Sequence, residues 1–327
     1  MASVEAAGGV APRRRATPQR RRQTRKTYVR VLLYMSPWIL GFLIFTLYPI
    51  LSSFYFSFTH YDILSTPIWT GLENYKFMFT KDPLFWASVR NTIWIVAFGV
   101  PLRIVFAILT ATLLTRPKRG VKVYRTIMFL PTLAPAVAAA LAFLYLFNPA
   151  TGPIDHLLSA AGWQKPPLWF HDPTWSKPGL LILGLWGVGD AMIIFLAGLL
   201  DVPRQLYEAA DIEGASFVQK FRLVTLPMIS PVIFFSLVIG VIQGFQYFTE
   251  AYVTSFTLGN QSETALGNPQ NSLLFFTTHL YQAGWVNFQM GYASALAWML
   301  LAVTLICTVV IIKTSNRWVF YQGGAFR

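Results

Sequence analysis

The sequence predicts an all-α membrane protein that crosses the bilayer about six times. Three observations carry this. Of 327 residues, 55% are hydrophobic and only 12% charged, too little charge to cover the surface of a soluble domain of this length. Six apolar runs are each long enough to cross about 30 Å of hydrocarbon at about 1.5 Å per residue. Lys and Arg, finally, collect in alternate loops rather than spreading evenly.

The runs fall at 31–58, 92–114, 126–147, 179–200, 231–253 and 291–312. The first exceeds one crossing, and Pro49 is expected to kink it. Pro101, Pro131 and Pro135 lie inside later runs, which lipid-embedded helices tolerate better than soluble ones. No repeat of 20–50 residues is visible. Before residue 31 the chain carries nine Lys/Arg, among them Arg13-Arg14-Arg15 and Arg20-Arg21-Arg22, with Pro12 and Pro18. This polar stretch reads as a disordered basic arm over 1–30 that can touch anionic lipid headgroups. The apolar run after it is too long for a signal-peptide core and no small-residue cleavage site closes it. The folded domain is placed at 31–313 and a tail at 314–327.

Charge sets the orientation. The arm, loop 115–125, loop 201–230 and the tail from Lys313 hold nine, five, three and three Lys/Arg. Loops 59–91, 148–178 and 254–290 hold three, two and none, and Arg103 is left inside a helix. Both termini are therefore expected on the cytoplasmic side. The same pattern explains a formal net charge of +13 without a nucleic-acid partner. Loop 59–91, rich in aromatics, suits a short helix on the bundle. Loop 148–178, with six prolines, suits turns.

Chemistry is sparse. The single cysteine, Cys307, excludes a disulfide framework. His60, His156, His171 and His279 are scattered through loops and helix ends, so no metal site is expected. No nucleophile with a nearby base suggests hydrolysis, and no G-x-x-x-x-G-K-[ST] loop occurs, so ATP would have to bind another chain. Ionisable groups at membrane depth are costly and face an interior or a wet cavity; Arg103, Asp190 and Glu250 are the candidates. Gln243, Gln246, Tyr247 and Glu250 follow i, i+3, i+4, i+7 spacing and are expected on one face of the fifth helix. With Asp190 they offer the hydrogen-bonding and stacking groups a hydroxyl-rich cargo needs. Mutual satisfaction between helices, with Arg103 paired to Asp190 or Glu250, is the competing reading.

One loop is distinctive. From Glu208 to Pro227 it reads EAADIEGASFVQKFRLVTLP: a helix over Leu206–Ile212, a break at Gly214, and helical pattern again over Phe217–Leu223. Leu206, Ala210 and Phe217 are placed to meet a partner. Glu208-Ala209-Ala210, Gly214, and Leu226-Pro227 before an apolar helix resemble the EAA loop, here 206–227, of binding-protein-dependent type I ABC importer permeases. Further segments are similar to the family's di- and oligosaccharide branch. They are Gly71-Leu72-Glu73-Asn74-Tyr75 with Asn91-Thr92, Tyr124-Arg125 with Leu130-Pro131 and Pro135, Asn148-Pro149 with Gly152, and Ala197-Gly198-Leu199 with Val202-Pro203.

The resemblance spans about 31–313. It implies a permease subunit in the bacterial cytoplasmic membrane without catalysis of its own. A second homologous permease, two ATPase subunits holding ATP and Mg, and an extracytoplasmic sugar-binding protein would complete the importer. Glu208 would be the acidic contact to an ATPase, Ala209 and Ala210 would allow close approach, and Gly214 would make the turn; Phe217, Leu226 and Pro227 complete the loop. Another cargo, such as a glycerol-phosphate ester, would call for more arginines than Arg103. A secondary transporter would leave the loop unexplained.

Overall fold

The computed structural model describes residues 18–115, 119–258 and 266–320. The chain divides into two compact units, Met1–Tyr55 and Phe56–Arg327. In the first unit, helix α1 (Pro18–Phe42) passes through a π-helical turn, Leu43–Leu47, into α2 (Tyr48–Phe56). The helical start at Pro18 corrects the expectation of an irregular arm as far as residue 30. No proline or glycine interrupts 19–36, and Arg, Gln, Lys and Leu there are good helix formers. Residues 1–17 of the arm lie outside the described residues.

The second unit opens with a two-stranded antiparallel hairpin, β1 (Thr59–His60) with β2 (Ile68–Trp69). Helix α3 (Glu73–Thr80) supplies the short helix expected in this loop. Helix α4 (Phe85–Trp94) continues through a π turn, Ile95–Gly99, into α5 (Val100–Thr115). Next come α6 (Val121–Phe129), a 3-10 turn over Leu130–Leu133, and α7 (Ala136–Leu146). The loop beyond carries α8 (Pro153–Ala160). Helices α9 (Ser176–Trp186) and α10 (Gly189–Leu200) lie beyond it. Then come α11 (Arg204–Ile212), α12 (Phe217–Lys220), α13 (Leu226–Met228), α14 (Ser230–Phe245) and α15 (Thr249–Leu258). The chain ends on α16 (Phe276–Tyr281) and the long α17 (Met290–Ser315).

Among the described residues four stretches are long and apolar enough to cross a membrane: Arg30–Phe56, Phe85–Thr115, Ser230–Leu258 and Met290–Ser315. Two further stretches qualify only as bent pairs. Val121–Leu133 meets Ala136–Leu146 at 99°, and Ser176–Trp186 meets Gly189–Leu200 at 52°. Taking each pair as one span yields six, as the hydropathy runs predict. The unbroken third and fourth helices expected from those runs do not form.

Proline chemistry accounts for much of this irregularity. Three π turns, Leu43–Leu47, Ile95–Gly99 and Phe221–Thr225, each end two residues before a proline: Pro49, Pro101 and Pro227. Proline has no N–H to offer, and its ring crowds the carbonyl four residues back; a widened turn absorbs both without a sharp kink. The expected kink at Pro49 therefore appears as a change of helical register. Where two prolines fall close together, at Pro131 and Pro135, the helix breaks outright, with Pro135 extended at the N-cap of α7.

Packing relies on small residues, as it must where lipid removes the hydrophobic drive between helices. Ala107 and Ala111 of α5 are fully buried against Met192, Phe195 and Leu199 of α10, with Ile229 completing the cluster. Farther along, Asn91 of α4 donates to the carbonyls of Asn271 and Leu274, at 2.7 and 2.9 Å. Phe276 N–H donates to Thr92 Oγ1 at 2.9 Å. The Asn91-Thr92 pair thus holds the segment leading into α16.

Candidate functional site

Two places gather the residues singled out in the sequence. The first is the helical hairpin between α10 and α14. Helix α11 ends in a turn where Ala215 N–H reaches the carbonyl of Ala210 at 2.9 Å. Gly214 stands there at φ +75, and a Cβ added to it would meet nothing within 4 Å. Backbone conformation, not crowding, is what calls for glycine. Ser216 then starts α12 with a capping box: its N–H donates to Gln219 Oε1 at 2.7 Å, and Gln219 N–H returns to Ser216 Oγ at 3.4 Å. The hairpin is closed by an ion pair between Lys220 and Asp211 and by a 2.9 Å hydrogen bond between Tyr207 and Thr225 hydroxyls.

Glu208 lies on the exposed side of α11, 3.0 Å from Arg204 Nε. Ala209 is exposed beside it and Ala210 half-buried. Apolar side chains project from the same hairpin: Ile212 is 89% exposed, Val218 70% and Leu223 69%, with Phe217 and Leu206 also exposed. Leu226 and Pro227 lead out through α13 and are half-buried. The expected second helix is shorter than 217–223, because the π turn over Phe221–Thr225 takes over ahead of Pro227.

The second place is a cavity of ≈ 180 Å³ between α5, α9, α10 and α14. Its polar lining includes Arg103, Asp190, Gln243 and Tyr247. Arg103 Nη2 donates to both Asp190 oxygens, at 2.7 and 2.9 Å, and lies 3.5 Å from the Gly187 carbonyl. Of the two partners open to Arg103 in the sequence, the fold chooses Asp190. The pair is not sealed within the chain; its side chains are 37% and 55% exposed.

The four-residue stripe expected from the spacing does not form. Helix α14 ends at Phe245, and residues 246–248 interrupt the helix before α15. Gln246 N–H still turns back to the carbonyls of Ile242 and Gln243, while Thr277 Oγ1 donates to the Tyr247 carbonyl at 2.5 Å. The break shifts the angular phase of α15 relative to α14. Gln243 and Tyr247 line the cavity; Gln246 and Glu250 do not.

The sequence reading missed a third cluster. His279 Nε2 lies 2.7 Å from Asp82 Oδ2, and Tyr292 donates its hydroxyl to the same oxygen. The two side chains of the His279–Asp82 pair are only 6% and 5% exposed. Burial pushes the Asp82 carboxyl up, but the bonds from His279 and Tyr292 and the charge of His279 outweigh it and hold it below its usual range. Three elements, the α3–α4 turn, α16 and α17, are pinned at this point. Among the described residues no three His, Cys, Asp or Glu side chains gather as a metal site.

Residues 103–319 match the profile of the family described as "binding-protein-dependent transport system inner membrane component". The chain belongs to this family. It is 39% identical over 303 residues to the probable ABC transporter permease protein YesP of Bacillus subtilis, covering 92% of this chain and 95% of that one. The arabinooligosaccharides transport system permease protein AraP of the same organism is 32% identical, covering 87% and 88%. Among solved structures, a chain of a bacterial ABC transporter importing the acidic polysaccharide alginate superposes with a TM-score of 0.75 at 24% identity. That match covers 90% of this chain and 99% of the other, and speaks to the fold.

The protein is thus a multi-pass permease subunit of a binding-protein-dependent ABC importer, a transport component without an ATPase domain. The matched region of the permease begins at Arg103 and takes in Asp190, the hairpin and all of α17.

Proposed function

We propose that this permease carries a di- or oligosaccharide, handed over by an extracytoplasmic sugar-binding protein, across the bacterial cytoplasmic membrane. The observation that carries this reading is the cavity beside α10. It presents the amide of Gln243 and the ring of Tyr247, while the one cation among its described lining residues is engaged: Arg103 is paired to both oxygens of Asp190. A wall with hydrogen-bonding groups, an aromatic ring and balanced charge suits an uncharged polyol. A phosphate ester would find no free arginine among the described lining residues. The relative AraP, named for arabinooligosaccharides, points the same way.

Exposed polar groups at membrane depth cannot face hydrocarbon cheaply. Asp190, Gln243 and Gln246 therefore face either a wet pathway or a second, homologous permease that encloses it. The hairpin 204–228 is the coupling element. Its exposed apolar side chains and Glu208 seat in an ATPase subunit, two of which bind ATP and Mg for the assembly. Lys and Arg are concentrated twenty to five on the hairpin's side, which places both termini and the hairpin in the cytoplasm. The basic N-terminal segment lies against lipid headgroups, and nucleic acid is no partner.

Uptake of a labelled panel by cells with and without this chain tests the cargo. The panel holds pentose and hexose disaccharides, longer oligosaccharides and a glycerol-phosphate ester. Chain-dependent uptake confined to one or more sugars is expected. Uptake of the phosphate ester alone would overturn the carbohydrate reading.

A further inference from the structure

Helix α10 joins the hairpin to the cavity wall. One end continues through Asp201, Val202 and Pro203 into the hairpin helix α11; the other starts at the 52° bend after α9. Twelve residues of α-helix make a rod about 18 Å long. A displacement of the hairpin therefore arrives, through a stiff element, at residues 187–189.

The bend is gripped from two directions. Gly189 rests on the C-terminal end of α6, ahead of the break in that span: a Cβ there would fall 2.4 Å from the Met128 carbonyl oxygen and 2.8 Å from Phe129 Cα. The bend of one span is thus packed on the end of α6 in the other, and only glycine permits the contact. From the opposite helix, α5, Arg103 reaches the first turn of α10 at Asp190 and lies 3.5 Å from the carbonyl of Gly187, across the bend. One guanidinium thus addresses both sides of the joint.

The pair ties α5 to the first turn of α10, and its 37% and 55% exposure within the chain leaves it free to open. Its place at the pivot of a rod that carries the hairpin gives it a further use. We infer that Arg103 is a positioning residue of energy coupling, which with Asp190 clamps the α9–α10 bend in the resting state. Movement of the hairpin must open the clamp before α10 can swing. The clamp suppresses ATP turnover when no loaded binding protein is docked. Glu250, the other membrane-depth acid weighed for Arg103, lies off the cavity and takes no part.

The inference rests on the hairpin being the coupling element, so the test separates the two. Arg103→Ala, the neutral pair Arg103→Gln with Asp190→Asn, and the swapped pair Arg103→Asp with Asp190→Arg are assembled with the ATPase subunits in proteoliposomes. The neutral pair leaves no lone charge at membrane depth and carries the test if Arg103→Ala does not insert. ATP hydrolysis is measured without binding protein and without cargo, then cargo moved per ATP with both present. The expected result is full retention of the ATPase subunits and a rise in unstimulated hydrolysis of roughly fivefold, the low end of a coupling between two sites. Cargo moved per ATP falls, and the swapped pair recovers most of the control.

Unstimulated hydrolysis and cargo per ATP both at the parent's values would overturn the clamp. So would a higher half-saturating cargo concentration with unchanged unstimulated hydrolysis, which would make Arg103 a cargo contact, and so would failure of all three variants to assemble. Hairpin variants, which leave the clamp intact, report separately on docking of the ATPase subunits.

Discussion

Gly214 and Gly189 look alike in sequence, each a glycine beside a helix end, but the structure assigns them opposite physics, and that difference can be measured. At Gly214 the perturbation is Gly214→Ala. A Cβ there meets no atom within 4 Å, so the whole penalty is the backbone at φ +75. Holding an L-residue in the left-handed region costs roughly 1–2 kcal/mol. If the turn relaxes, the population of hairpins with the right geometry falls by about 5–30-fold, and apparent affinity for a partner falls with it. The bundle is untouched, because the turn is exposed and its neighbours are water-facing. The assay titrates the isolated ATPase subunit onto the permease in nanodiscs, alongside measurement of membrane insertion. Insertion at the parent's level and half-saturation raised by about 5–30-fold are expected. A change below about twofold would refute the argument from φ, since nothing steric remains to fall back on. Gly189→Ala is the control: with a carbonyl oxygen 2.4 Å away, it should lower the yield of folded protein, as overpacking does.

The other predictions concern the faces of the bundle. Glu208→Lys removes only an exposed pair with Arg204, so thermal stability should stay within about 0.5 kcal/mol of the parent; co-purification of the ATPase subunit should drop, and undiminished recovery would remove Glu208 from the interface. In a Cys307→Ser background, Glu73→Cys should react with an impermeant reagent added outside intact cells and Glu213→Cys only after lysis; the reverse order would overturn the orientation. At the buried cluster, Asp82→Ala leaves His279 and Tyr292 without their shared partner and should destabilise by about 3 kcal/mol, read as a lower unfolding temperature. Because the fold holds the Asp82 carboxyl below its usual value, its contribution is complete at neutral pH. It is lost as pH falls below about 4, through the lowered value. Asp82→Asn should abolish that acid-side step while leaving the neutral-pH curve lower; an acid transition identical to the parent's would show that another group controls it.

Much of this architecture was legible because its causes are local. Spans follow from runs of apolar residues, which need no distant partner to be recognised. The hairpin is written in consecutive residues: helical pattern over Leu206–Ile212, a break at Gly214, helical pattern again from Phe217, and Leu226-Pro227 before an apolar helix. Even the prolines foretold irregularity, though not its form. A single proline follows a π turn, as at Pro49, whereas the close pair Pro131 and Pro135 accompanies a 99° break.

The amino-acid sequence by itself determined that this chain is an all-α membrane protein with a helical hairpin between two of its apolar segments, because hydrophobic length and turn chemistry each act over a few residues. Only the tertiary structure decided which distant groups meet. It paired Arg103 with Asp190, 87 positions away, rather than Glu250. It brought Asp82 to His279 across 197 positions and to Tyr292 across 210. It broke the fifth helix at residues 246–248, so that Gln243 and Tyr247 reach the cavity and Gln246 and Glu250 do not. The helical period places a side chain on a face only while the helix is continuous, and no local pattern records which helix will stand opposite. Packing of small residues such as Ala107, Ala111 and Gly189 sets those neighbours, and they in turn select the polar partners.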